Sequence, residues 1–156
     1  ENNVRKKIIK EHLIDPAFFE EMSKLLGEII KERKANAISY AEYLEKIAEL
    51  AKRVNEGKSE ETPETLVTMA QRALYNNLAK NEVLAMQIDA AVKNVKRDGW
   101  RGNLPKEREI KAEIYKQLAS YSVDTGIDIA NELPEPYGME NKVEAIFKLI
   151  IEQPEY

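Results

Sequence analysis

The chain has 156 residues, of which 43% are hydrophobic and 33% charged, with a formal net charge of −4 at pH 7. This length suits one domain around one core. The acidic balance excludes a uniformly polycationic nucleic-acid binder, and the absence of Cys excludes disulfides and thiolate metal sites. No apolar run approaches the ~18 residues that span a bilayer. No signal-like apolar segment opens the chain. It begins Glu1-Asn2-Asn3-Val4 without an initiator Met, which reads as a domain cut from a longer protein.

Taken in order, Val4, Ile8, Ile9 and Leu13 predict a first amphipathic helix to about Ile14. Asp15-Pro16 stops and restarts the chain, with Asp as N-cap and Pro at the first helical position. Phe19, Met22, Leu25, Leu26, Ile29 and Ile30 then hold one apolar face to about Lys34. Ser39 and Glu42 have capping-box spacing, and a third helix follows to Gly57. Lys58 to Glu61 is polar. Thr62-Pro63 predicts the start of a fourth helix carrying Leu66, Met69, Ala73 and Leu78. Asn81 predicts the cap of a fifth, with Leu84, Ile88, Val92 and Val95. A sixth runs from about Pro105 through Ile110, Ile114 and Leu118. The segment Ser122 to Gly138 is punctuated by Pro134, Pro136 and Gly138 and predicts at most one short helical turn. A last helix, about Met139 to Glu152, carries Val143, Ile146, Phe147 and Ile150. No segment alternates with period two. The expectation is therefore an all-α fold, an irregular array of six to seven helices with short connections and no sheet, forming a single domain over 1–156.

Few residues offer chemistry. The one His, His12, falls at a helix end and has no partner for a metal or nucleophile site. Gly57-Lys58-Ser59 imitates the end of a phosphate loop, yet position 52 is Lys and a helix precedes it instead of a strand. Glu140-Asn141-Lys142 has the Glu-x-Lys spacing of a metal-dependent nuclease, but on a predicted helix with no strand to pair it with an Asp. The Tyr residues (40, 43, 75, 115, 121, 137 and 156) are scattered singly, which suits core or interface use and not a base-stacking platform.

The most distinctive stretch is Asp98-Gly99-Trp100-Arg101-Gly102-Asn103, which holds the only Trp of the chain. Two glycines permit a sharp turn. Trp100 is the candidate structural anchor of that turn, and Asn103 the candidate cap of the helix after it. Between Lys93 and Lys116 eight Lys or Arg face four Asp or Glu, a local surplus of four positive charges in a chain that is negative elsewhere. Lys96, Arg97, Arg101, Lys106, Arg108 and Lys111 are therefore the candidate contacts for a partner or for DNA phosphates. A solvated face of mixed charges is the plainer alternative.

Trp100-Arg101-Gly102-Asn103 followed by Lys106-Glu107-Arg108-Glu109-Ile110-Lys111 resembles the C-terminal region of the restriction (R) subunit of type I restriction-modification enzymes. So do Phe19 to Leu26, Ile38 to Ile47, Ala73 to Leu78, Ile146 to Ile150 and the terminal Glu155-Tyr156, in the same order. The resemblance implies a helical C-terminal fragment of a larger, cytoplasmic, bacterial or archaeal protein. It implies docking onto the methyltransferase and specificity subunits. It also implies that the parent cleaves DNA and translocates it with ATP and Mg²⁺, using nuclease and motor domains outside this chain, so that no catalytic, cofactor or metal residue is expected here. The alternatives are a helical module of the same motor that guides duplex DNA, and an independent enzyme. The lack of a convergent acid, base or metal set argues against the latter.

Overall fold

The free amides of a first helical turn need acceptors, and five side chains in this sequence supply them. The computed structural model, which describes residues 1–132 and 136–156, places a helix after each. Asp15 accepts from the Phe18 amide and opens α2 (Pro16–Lys34). Ser39 and Glu42 close a reciprocal capping box at α3 (Tyr40–Glu56). Thr68 and Gln71 do the same at α4 (Met69–Asn77). Asn81 caps α5 (Glu82–Val95) and Asn103 caps α6 (Leu104–Thr125). Two more helices, α1 (Asn2–Glu11) and α8 (Met139–Ile151), start without such a side chain, and at the short α7 (Ile129–Glu132) the Ser122 hydroxyl accepts from the Ile129 amide at 3.3 Å. The described residues contain eight helices and no strand, an all-α fold.

The first and fifth helices end a few residues before the expected Ile14 and Gly99, at Glu11 and Val95, and α4 and α6 depart further. α4 begins at Met69, not at Thr62-Pro63, because the Thr68–Gln71 box supplies a better start. The residues before it wrap α4 instead. Gln71 accepts from the Val67 amide, and Arg72 donates to the Leu66 and Val67 carbonyls. α6 runs past Leu118 to Thr125 and stops at Gly126, whose φ of 73° only glycine adopts freely. Within the Ser122 to Gly138 stretch the single expected turn is α7; Pro134 lies outside the described residues.

The apolar side chains gather into two clusters where the length suggested one, and the chain divides into two compact units, Glu1–Thr62 and Pro63–Tyr156. In the first, α1, α2 and α3 pack pairwise around Phe18, Phe19, Met22, Leu26, Leu50 and Val54. Gly57, left-handed at φ 65°, ends α3, and the polar residues after it carry no apolar stripe that would extend this core. In the second, α6 lies against α5, α7 and α8, and α4 against α5 and α8. Leu74, Ile88, Ile110, Ile114, Leu118 and Ile150 fill the centre.

Candidate functional site

Gly99 (φ 64°) and Gly102 (φ 77°) take the left-handed conformation that reverses the chain between α5 and α6. The turn is tied on both sides. The Gly102 amide donates to Glu107 at 2.8 Å and Lys106 Nζ donates to the Asp98 carbonyl at 2.6 Å. Trp100, between the glycines, is 3% exposed. Its ring meets Phe147 of α8 edge-on at 6.0 Å, and its Nε1 donates to the Tyr156 carbonyl at 2.9 Å. The Arg101 guanidinium lies over the Trp100 ring at 4.5 Å. It donates from Nε to the Ile151 carbonyl at 3.2 Å and from Nη2 to the Gln153 carbonyl at 2.6 Å. A cation on carbonyls left open at a helix C-terminus is favourable for both charge and hydrogen bonding. Trp100 thus anchors more than its own turn: with Arg101 it holds the end of α8 and the residues after it.

Those last residues are held from two other sides. Glu155 accepts from the Ala70 amide at 2.7 Å, putting a carboxylate at the positive end of α4. The Tyr156 hydroxyl donates to Asp89 of α5, a carboxylate 3% exposed that also accepts from Gln71 Nε2 at 3.0 Å and from Lys93 Nζ at 2.9 Å. Burial, reinforced by the hydrogen bond to Asp89, pushes the Tyr156 phenol well above its ordinary value. Sequence reading missed this network, although one signal was present: Asp89 occupies a core-facing position of α5 beside Ala85, Ile88 and Val92. A carboxylate there requires buried partners.

The six basic candidates are engaged in different ways. Arg101 and Lys106 are bound to backbone carbonyls as described. Lys111 pairs with Glu144 at 2.8 Å and sits over the Phe147 ring at 4.6 Å. Arg97 pairs with Glu109 at 3.5 Å, both side chains largely exposed. Lys96 and Arg108 make no ion pair among the described residues. Lys96, Arg97 and Lys116 line a groove of ≈ 500 Å³ between α5 and α6, with Glu109 and Glu113 on the same wall. Its charge is mixed, not cationic.

The remaining sequence motifs fall apart in space. Lys142 is buried and donates from Nζ to the Pro136 carbonyl at 3.0 Å, whereas Glu140 is exposed in the first turn of α8. Burial lowers the Lys142 amine, with Asp128 partly opposing. Gly57 is the C-cap of α3, and His12 the exposed C-cap of α1. Among the described residues no group of three or more His, Cys, Asp or Glu stands close enough to hold a metal ion, and no helix is long and apolar enough to cross a membrane. No known protein family, no curated protein and no solved structure matches the chain.

Proposed function

We propose that this chain is a docking module, the C-terminal helical region of the R subunit of a type I restriction enzyme, joining that subunit to its methyltransferase and specificity partners in a bacterial or archaeal cytoplasm. ATP- and Mg²⁺-dependent translocation and DNA cleavage belong, on this reading, to domains outside these residues. No catalytic or cofactor role is assigned within them. The name of the assembly rests on the sequence resemblance. The preference for protein docking over DNA guidance rests on the fate of the basic residues: Arg101, Lys106 and Lys111 are spent on their own unit and Arg97 faces Glu109. Phosphate tracking needs a row of cations free to replace counterions, and here carboxylates interrupt the row.

The test is retention of purified chain by the modification complex and by plain duplex DNA, each at low and at high salt. The expected outcome is retention by the complex that changes little with salt, and none by DNA. Retention by DNA that collapses as salt rises turns the reading to the DNA-guiding module. Reversal of Arg97 and Arg108 to Glu probes the exposed cations in either case. Arg101→Glu does not, because it removes the cap of α8.

A further inference from the structure

Residues 153–156 lie on the second unit as a short extended peptide lies on a receptor. Gln153 and Tyr156 are buried, at 1% and 5% exposed, while Pro154 and Glu155 between them face solvent. The Gln153 amide donates to the Ile150 carbonyl at 3.1 Å and the Tyr156 amide to the Gln153 carbonyl at 3.4 Å, so these backbone bonds are local. The bonds to earlier elements described above each use a side chain on one side or the other.

The receiving groups are fixed by other contacts. Asp89 is held by Gln71 and Lys93, the Ala70 amide by the Thr68–Gln71 capping box of α4, and the Trp100 ring by Phe147. Such groups keep their places when the segment leaves, which lowers the cost of taking up another ligand. Together they read a defined chemistry. The first turn of α4 takes a carboxylate, buried Asp89 takes a phenol O–H, and the indole N–H takes the carbonyl of the residue that bears the phenol. Aspartate beneath the phenol also excludes phosphotyrosine, whose dianion it would repel.

We propose that this groove is a recognition site for an extended peptide in which an acidic residue is followed directly by tyrosine, and that residues 153–156 are its resident, autoinhibitory occupant. A partner peptide of the same chemistry gains the site by displacing them. This goes beyond the docking reading and does not rest on it.

Two measurements test the proposal, neither of which uses the modification complex, so their failure leaves the docking reading untouched. The first is hydrogen exchange of the unaltered chain. Release of the segment is a local opening, so the Trp100 indole N–H is expected to exchange about tenfold faster or more than the buried amides of Ile110, Ile114 and Leu118, each corrected for its intrinsic rate. Equal protection means that the segment leaves only when the unit unfolds, and overturns the proposal. The second is titration of the full-length Tyr156→Ala variant with a capped synthetic peptide of residues 152–156, Glu-Gln-Pro-Glu-Tyr. Saturable shifts of the Trp100 indole proton and the Ala70 amide are expected. The peptide ending in Phe is expected to bind about tenfold more weakly or worse, the loss of a hydrogen bond to a charged group, and the phosphotyrosine peptide not at all. If Tyr156→Ala does not fold, Glu155→Lys is the host, because its position is exposed and the buried ring is kept while the hold on α4 is lost. No saturable shift in a folded host, shifts confined to other elements, or equal affinity of the Tyr and Phe peptides overturns the proposal.

Discussion

The two units solve the same problem differently. In Glu1–Thr62 three amphipathic helices bury aromatic and aliphatic side chains, and the one buried polar side chain, Asp15, is used to cap α2. Its side-chain links between and along the helices stand largely in solvent, among them Tyr43 donating to Glu1 at 2.9 Å, Lys46 pairing with Glu32 at 2.6 Å and Arg53 with Glu49 at 2.5 Å. Exposed pairs of this kind contribute about 0–1 kcal/mol each. Pro63–Tyr156 buries Gln71, Asp89, Lys142 and Gln153. It also ties its final residues to three earlier elements through Ala70, Asp89 and the Trp100-Arg101 pair. The first unit is specified by packing and caps. The second adds directional bonds that tolerate only one arrangement of the chain, at the risk that losing one partner strands the others.

The contrast is sharpest at Trp100. Trp100→Ala removes the largest buried ring of the second unit and orphans the Tyr156 carbonyl, and is expected to destabilise that unit by about 3–5 kcal/mol in denaturant titration. Emission of native protein at the wavelength of water-exposed indole would break the comparison at its root. In the first unit the matching lesion is Met22→Ala. A fully buried side chain is lost but no polar group is stranded, so the cost is about 2–5 kcal/mol of cavity and transfer energy alone, read by hydrogen exchange over residues 1–62. Tyr156→Phe isolates the directional part. It keeps the ring, removes one hydrogen bond to a carboxylate, and is expected to cost about 1.5–3 kcal/mol. Because the folded-state phenol titrates above its ordinary value, its stabilisation is fully present below about pH 10 and declines above it. The slope is at most about 1.4 kcal/mol per pH unit. Stability measured from pH 9 upward should fall more steeply for the unaltered chain than for Tyr156→Phe, and equal slopes would show that the phenol is not held protonated. The smallest effect belongs to Ser39→Ala, which opens the capping box of α3 for about 1 kcal/mol.

Much of the fold is legible from local rules. Asp15-Pro16, Ser39 with Glu42, Asn81 and Asn103 each mark a helix start that involves only neighbouring residues, and the structure places a helix after each. Thr62-Pro63 misleads because a second start signal, Thr68 with Gln71, competes six residues later and has both halves of the box. The division into two clusters is not legible, since periodicity says which face of α3 is apolar but not which helices cover it. The candidate site is partly legible. The Trp100 turn stands out by composition. The grip of Arg101 on α8, and of Asp89 on Tyr156, depends on residues brought together only by folding.

The clamp around Trp100 also bears on the order of events in folding. Its bonds join residues 56 and 67 positions apart, whereas α4 with α5 and α5 with α6 are neighbours in sequence. Closing a long loop costs entropy before any contact rewards it, so the expected order is helical pairs first and clamp last. Interactions formed after the transition state govern how fast a protein comes apart, not how fast it forms. Tyr156→Phe should therefore raise the unfolding limb of a chevron and leave the refolding limb almost where it was. On this account the residues after α8 act as a brake on unfolding, giving the second unit persistence over time in addition to its equilibrium stability.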